Sequence, residues 1–393
     1  MYTQNTEIHI SLWHKDFWAM AVANMLLSIA VYMYIPALPV WMAENGMTTV
    51  EKGIAMGVFI LGLLLAGLRV SYLVQRYRRN RVCIESLICL AVVIGAYYFL
   101  QVRNHYLQEY GDVIAYIFRF FMGAFFGFAQ MVLRSTLIMD KSESNRRTEA
   151  NYSSSWFGRF AISLGPVAAI VLYKQFGFDA VLMASAVLVI VSALIIATVK
   201  FPFRTPEEGV RYFSLDRFFL PQAAWLFVNM VLVMFALGLV LSLPLTIHFY
   251  AMMMVGFLLS ILSQRFVFEN ADLKSEIVSG LILVIAAIII MLRNNTVSAA
   301  YISPALFGIG IGLIASRFLL FFIKLSHHCQ RATSQSTYIV SWETGLALGL
   351  FFGFAVFRSD SDLILNVALG AAVAALLMYN FFTHAWYMRN KSR

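Results

Sequence analysis

The chain has 393 residues, of which 61% are hydrophobic and only 12% are charged. Its mean hydropathy of +0.77 excludes an ordinary soluble domain. The net charge of +9 would suit a nucleic-acid-binding protein or a membrane protein, and the placement of the charges decides between them.

Apolar stretches of about 20 residues recur along the whole chain, and each is long enough to cross a bilayer as a helix. No strand alternation of the barrel type competes with this interpretation. We therefore predict an all-α integral membrane protein. Its twelve spans are expected at residues 15–42, 51–75, 82–101, 111–139, 149–173, 178–200, 217–244, 247–266, 275–292, 298–323, 332–357 and 362–387.

The basic residues are distributed unevenly between the loops. Of the 29 lysine and arginine residues, five lie within spans and five in the loops of one side, which leaves nineteen on the other side. This asymmetry predicts that both termini are cytoplasmic and that the protein is a multi-pass protein of the inner membrane. The first stretch is too long for the apolar region of a signal peptide and is expected to remain as a helix. Nucleic acid is not expected as a partner.

The chain contains an internal repeat. Residues Ser71–Tyr77 recur as Ser260–Phe266, each at the end of a span and before a charged loop. An arginine also precedes a glycine by 18 residues in both halves, at Arg147 and at Arg331. We predict two pseudo-symmetric six-helix bundles at 1–200 and 217–393, joined by a cytoplasmic linker at 201–216. Transporters with internal repeats hold their substrate between the repeats.

The sequence lacks the motifs of membrane enzymes and ATP-driven pumps. It contains no phosphate-binding loop, no zinc-protease motif and no nucleophile elbow. The three cysteines show neither a disulfide framework nor metal-ligand spacing. We expect no enzyme activity, no cofactor and no metal, so an ion gradient must supply the energy.

Three motifs resemble those of the major facilitator superfamily. The stretch Arg69–Arg81 is similar to its signature loop between the second and third helices. Arg119, followed by glycines at positions 123 and 127, is similar to an arginine motif of its fourth helix. The pair Gly165-Pro166 resembles a motif of the drug–proton antiporter branch. Three runs resemble arabinose-efflux-like permeases of bacteria: 146–150, 214–220 and 328–333.

The signature loop departs from the family pattern in ways that bear on gating. Gln75 stands where the family has an aspartate that helps to hold the cytoplasmic gate, and Ser71 and Arg78 replace glycines. A neutral amide donates and accepts hydrogen bonds but forms no charge pair. Asp140, at the end of the fourth span, is expected to pair with Arg76 or Arg79 instead.

Ionisable residues inside spans are expensive in lipid and are typical of functional sites. Five arginines lie within spans, whereas Glu343 is the acid near the middle of a span. Arg134 and Arg317 are close enough to span ends to snorkel. The family resemblance gives Arg119 a coupling role, and the alternative is a structural bond to backbone carbonyls of the first span. The five arginines are Arg69, Arg119, Arg134, Arg159 and Arg317.

The repeat superposes Arg159 on Glu343, at equal depth on opposite flanks of the central cavity. In the resembling fold the eleventh helix lies against the second, which carries Arg69 at a similar depth. We therefore predict an ion pair between Arg69 and Glu343 that links the halves in one access state, or else fixes helix register. Glu343 and His248 are the candidates for proton binding.

Polar residues on the spans that line such a cavity are candidates for substrate contact. Those on the first span share one face because they lie at i, i+4 spacing, and small polar residues also bond helices to each other. The candidates are Asn24, Ser28, Tyr32, Gln130, Asn229 and Trp342.

The sequence thus favours a secondary transporter that exports a small organic solute in exchange for protons by alternating access. Its expected partners are that solute, protons and the lipid bilayer, and we expect a monomer. The excess of arginines in the spans favours an anionic or strongly hydrogen-bonding solute. Two alternatives stay open: a proton symporter that imports a sugar or organic acid, and a non-transporting sensor or scaffold.

Overall fold

The structure, a computed structural model, describes residues 12–103, 110–143, 146–201, 205–269, 271–293 and 296–391. Twelve helices in these ranges are long and apolar enough to cross a membrane, as predicted. The largest shift of a boundary is in the seventh helix, which begins at Pro221 rather than at 217. The helices are α1 Lys15–Glu44, α2 Thr49–Arg76, α3 Arg79–Leu100, α4 Gly111–Asp140, α5 Arg147–Phe176, α6 Phe178–Thr198, α7 Pro221–Leu241, α8 Ile247–Phe266, α9 Leu273–Arg293, α10 Val297–Leu325, α11 Arg331–Val356 and α12 Ser361–Asn390.

Local sequence determines where several helices begin. Thr48 and Glu51 form a reciprocal capping box at the start of α2, and the Asp360 side chain caps α12. Both arrangements satisfy backbone N–H groups that have no partner within the helix. Gly177, with φ +81°, provides the sharp turn from α5 to α6.

The helices pack in the same pairs in both halves. In the first half α2 packs on α4 and α1 packs on α5 and α6. The second half repeats this arrangement, with α8 on α10 and α7 on α11 and α12. The two six-helix bundles meet along α2 with α11 and along α5 with α8. These two seams are where the halves move against each other in an alternating-access transporter.

Helix α1 is interrupted directly after Tyr32. The α-helix ends there, Met33 forms a turn, and a second segment continues from Tyr34 to Glu44. Pro36 lacks the N–H that would bond to the Tyr32 carbonyl four residues earlier, which explains the interruption. The interruption matters because Tyr32 lies in the centre of the molecule.

The segment between α6 and α7 lies against the end of α2. The Glu207 N–H donates to the Gln75 carbonyl (3.1 Å), and the Ser214 N–H donates to the Leu68 carbonyl (3.0 Å). We call this end of the bundle the linker side. Pro202 and Arg204 of the predicted linker lie outside the described residues.

At the opposite end of the bundle, the two halves enclose a cavity of about 920 Å³. It lies between α1, α2 and α5 of the first half and α7, α8 and α11 of the second. Charged side chains at its rim include Glu44, Lys52 and Lys174. A cavity on one side, with contacts between the halves on the other, is the geometry of one access state of a transporter.

Glycines set the close approach of α2 and α4, and this leads to a stability prediction. A Cβ at Gly62 would lie 1.9 Å from the Phe120 carbonyl oxygen, and one at Gly123 would lie 1.9 Å from the Phe59 carbonyl oxygen. Small residues permit such backbone contacts between membrane helices. We expect Gly62→Ala or Gly123→Ala to lower stability by about 1–3 kcal/mol through overpacking.

The measurement is the midpoint of thermal unfolding in detergent. Gly95→Ala is the matched control, because a Cβ at Gly95 meets no atom within 4 Å. Equal midpoints for Gly62→Ala and Gly95→Ala would contradict the close approach of α2 and α4.

Candidate functional site

The centre of the molecule holds a hydrogen-bonded link between the two halves. The Tyr32 hydroxyl on α1 donates to Oε1 of Glu343 on α11 over 2.7 Å, and Trp342 Nε1 donates to the Tyr32 oxygen over 3.2 Å. Tyr32 and Glu343 are 3% and 2% exposed. The interruption of α1 after Tyr32 gives this residue a place at the seam, so one tyrosine connects both bundles through an acid.

Two buried arginines of the first half face the same region. Arg134 lies in a π-helical turn of α4, Leu133–Leu137, with its guanidinium 5.9 Å from the ring centre of Tyr338. π-helical turns are frequent at functional sites. Arg159 on α5 stacks over Trp156 at 4.5 Å. The expectation that Arg134 snorkels to the membrane surface is wrong. Arg134 is buried in the interior of the bundle, with 6% of its surface exposed.

Arg159 also reaches across the seam into the second half. Its Nη1 donates to the Ser316 hydroxyl on α10 (2.6 Å), and its Nη2 lies 3.5 Å from the Tyr338 hydroxyl on α11. Arg159 and Glu343, which the repeat superposes, line one small cavity together with Arg134 and Tyr32. A cation of one half and an acid of the other thus share a site between the bundles.

Arg119 lies behind Glu343, on the side away from Arg134. Its Nε donates to the Ala55 carbonyl of α2 over 3.3 Å, and its guanidinium stacks over Phe59 at 4.7 Å. Arg119 therefore does bond to a backbone carbonyl, as the structural alternative expected. The carbonyl belongs to α2, however, and not to the first span α1. Arg119 also lines a second small cavity with Tyr32 and Glu343.

The two cavities are about 10 and 20 Å³ in volume. A cavity of about 10–15 Å³ holds one water molecule. The site is therefore closed around its own side chains in this state. A solute larger than water does not fit between these side chains in this state.

The predicted ion pair between Arg69 and Glu343, which was expected in one access state, is not formed in this state. Arg69 is exposed and stacks its guanidinium over Phe213 of the linker at 4.9 Å. Glu343 takes no part in the ion pairs found among the described residues. Arg69 faces the linker, whereas Glu343 faces α1.

The polar candidates of the sequence separate into two groups. Asn24 bonds to the Ser154 carbonyl of α5 (3.4 Å), and Ser28 accepts from Gln130 Nε2 of α4 (3.5 Å). These residues lie next to the central site. Asn229 does not, because its amide donates to the Ala375 carbonyl and pins α7 to α12.

An acid of the linker occupies the place left by the altered signature loop. One carboxylate oxygen of Asp216 accepts from Ser71 Oγ (3.1 Å) and Gln75 Nε2 (3.2 Å) on α2. The other accepts from Thr333 Oγ1 on α11 (3.2 Å). We call these four residues the α2–α11 latch. Gln75 donates as an amide, and the negative charge comes from a segment that the sequence suggested only as a connection.

On the linker side, Asp140 forms an ion pair with one of its two predicted partners. Asp140 pairs with Arg79, which donates to both carboxylate oxygens at 3.0 and 2.8 Å. Arg76, the other predicted partner, is exposed. His248 is also exposed, at the large cavity of the opposite side with its ring 5.9 Å from that of Tyr301, so it does not join Glu343.

The second seam has a latch of its own. The Tyr152 hydroxyl on α5 donates to Gln264 on α8, which repeats the position of Gln75. Gln264 Nε2 donates to Glu276 on α9 (2.8 Å), and Glu276 pairs with Arg317 on α10. Arg317 is thus held by an acid in the first turn of the neighbouring helix α9. We call this chain the α5–α8 latch.

Comparison with known families agrees with this geometry. The family model of the major facilitator superfamily matches residues 20–353. The chain belongs to the major facilitator superfamily. It is a membrane transporter of that fold and not an enzyme. No curated protein sequence matches it.

Two solved structures of superfamily transporters share the fold. A bacterial homologue of the human lysosomal transporter Spinster, solved inward-facing and unoccupied, has a TM-score of 0.68 at 14% identity, and the match covers 98% of this chain and 100% of the other. The nucleoside transporter NupG has a TM-score of 0.65 at 12% identity, with coverage of 93% and 99%. At such low identity the likeness shows the fold alone.

Three residues with contacts in the central site or the latches were not candidates from the sequence: Tyr338, Ser316 and Asp216. Tyr338 lies four residues before Trp342 and therefore on the same face of α11, which was a usable indication. Ser316 and Asp216 gave no comparable indication, because each acquires its partner only through the packing of distant segments.

Proposed function

We propose that this superfamily member is a proton-coupled secondary transporter that exports a small organic solute across the cytoplasmic membrane by alternating access. It acts as a monomer with both termini in the cytoplasm. The observation that carries the proposal is the buried Tyr32–Glu343 hydrogen bond between the halves.

Proton coupling follows from the chemistry of this bond. A hydroxyl donates more strongly to an ionised carboxylate than to a neutral one. Protonation of Glu343 therefore weakens the contact between α1 and α11 and makes separation of the halves easier. Arg134 and Arg119 line the cavities on either side of the acid and compensate its charge when it is ionised.

Alternating access follows from the position of the latches. Both latches lie on the linker side, and the large cavity lies opposite. With the linker in the cytoplasm, as the positive-inside asymmetry favours, this state is closed inward. The α2–α11 latch then acts as the inner gate, with Asp216 in the role of the family aspartate.

Export is favoured by the Gly165-Pro166 pair of α5. A Cβ at Gly165 would lie 3.0 Å from the Ile29 carbonyl oxygen, so this pair sets how closely α5 approaches α1 just before the interruption. An importing symporter uses the same contacts with the opposite order of proton and solute release. A scaffold differs, because it would tolerate the loss of Glu343 once folded.

The first test of coupling uses Glu343→Gln in liposomes loaded with a pH-sensitive dye. We expect solute-dependent proton movement to fall to the level of protein-free liposomes, because glutamine does not bind the proton. Exchange of labelled solute for unlabelled solute should persist, since it requires rocking but no net proton transfer.

Glu85→Gln is the control for that test, because Glu85 is an exposed acid in the second turn of α3. Proton movement that survives in Glu343→Gln would refute the coupling role. Normal function in Glu343→Gln, with both proton movement and exchange intact, would favour a structural role for the bond.

The inner gate is tested by thiol labelling at Ser155, which is 1% exposed and lines the central cavity. In a background with Cys89→Ser and Cys329→Ser, we expect Ser155→Cys to react slowly with an impermeant reagent added on the linker side. Asp216→Ala removes three hydrogen bonds, worth about 1 kcal/mol or more each, and should raise the labelling rate about tenfold or more. Glu208→Ala, an exposed linker acid, is the control, and equal rates in both variants would exclude Asp216 as a gate.

A further inference from the structure

The central site holds an excess of buried positive charge. Arg119, Arg134 and Arg159 line the two small cavities of the site, and Glu343 is the acid that lines both of them. All four residues are at most 6% exposed. An unpaired charge in a low-dielectric interior costs several kcal/mol. A second negative charge would therefore bind favourably between these groups.

Two of the guanidinium groups also have unsatisfied donors. Nε of Arg134 and Nε of Arg159 are buried and have no hydrogen-bond partner. Buried polar groups are usually bonded, and an unsatisfied one calls for a specific explanation. Both residues line the same cavity, so each carries an unsatisfied donor close to it. The fork geometry of arginine matches the oxygens of carboxylate and phosphate groups.

The remaining wall supplies contacts for the body of a solute. Tyr338 and Trp342 of α11 present aromatic rings to the cavity. The Gln130 Oε1 acceptor is buried without a partner on the same wall. An unsaturated or ring-containing solute with one hydroxyl or amino donor would stack on the rings and donate to Gln130.

We infer that the substrate is a small organic oxyanion, held by Arg134 and Arg159 between the two halves. The inference rests on the proposed function, because it assigns the solute of that transport cycle. Arg159 now donates to Ser316 across the seam. An oxyanion bound at the arginines would compete for these donors, so substrate binding would loosen one contact between the halves while protonation of Glu343 loosens another.

The test measures binding to the purified full chain in detergent by the shift in thermal unfolding midpoint. The probes are matched pairs that differ in one negative charge: benzoate and benzamide, nicotinate and nicotinamide, glycerol phosphate and glycerol. We expect at least one charged member to stabilise the protein, whereas its neutral partner does not. The carboxylate and phosphate pairs distinguish the two sources of oxyanion.

The variants assign the binding to particular residues. Arg134→Gln and Arg159→Gln should each weaken binding of the charged probe about tenfold or more. Arg134→Lys keeps the charge without the fork and should give an intermediate affinity. Arg81→Gln, at a side chain that is 69% exposed, should leave the affinity unchanged.

Glu343→Gln separates this inference from the proposed function. It removes the carboxylate that lines both small cavities and should preserve or strengthen oxyanion binding while proton coupling is lost. If the native protein binds the charged probe but never shows solute-dependent proton movement, the proposal of proton coupling fails while the assigned substrate class holds. Three results would overturn the substrate class. In the first, only the neutral members stabilise the protein, and in the second, none of the charged probes does. In the third, the charged probes stabilise Arg134→Gln as much as the native protein.

Discussion

Buried arginine at the boundary between the halves is the constraint on which the rest of this structure depends. Guanidinium groups are tolerated at membrane depth only where they face the protein interior or water. Arg119, Arg134 and Arg159 all satisfy this requirement at the seam, through a carbonyl, aromatic faces and a serine hydroxyl. Because these partners are neutral, they do not balance the guanidinium charges, and Nε of Arg134 and Nε of Arg159 have no hydrogen-bond partner.

The latches supplement the contacts in the centre of the seam. The hydrogen bonds of Tyr32 with Glu343 and of Arg159 with Ser316 hold the seam in the middle, and further support at one end keeps it closed. Asp216 supplies it at α2 and α11, and Gln264 with Glu276 supplies it at α5 and α8. In both places the repeated glutamine donates its amide to a carboxylate of another segment. The two halves therefore reach the same chemistry with acids from unrelated positions, the linker in one case and α9 in the other.

The sequence was sufficient for the fold because span length and apolar content are local properties, and the bilayer imposes them on each helix separately. It was insufficient for the pairing of side chains. Arg69 and Glu343 lie at compatible depths, yet rotation of each helix about its axis directs Arg69 to Phe213 and Glu343 to Tyr32. Depth follows from counting residues, whereas rotation depends on how all neighbouring helices pack. Asp140 was paired correctly because Arg79 begins the adjacent α3 and offers few alternatives.

The repeat gives Arg159 and Glu343 equivalent places with opposite charges, and their contacts show why this matters. Arg159 reaches from the first half to Ser316 of the second, and Glu343 reaches from the second half to Tyr32 of the first. Both bonds cross the same boundary, so any motion that separates the halves there must break both. In the transport cycle that we propose, an oxyanion acts on the first bond and a proton on the second. Two ligands that weaken different bonds of one boundary are coupled through the shared free energy of opening, without any contact between the ligands themselves.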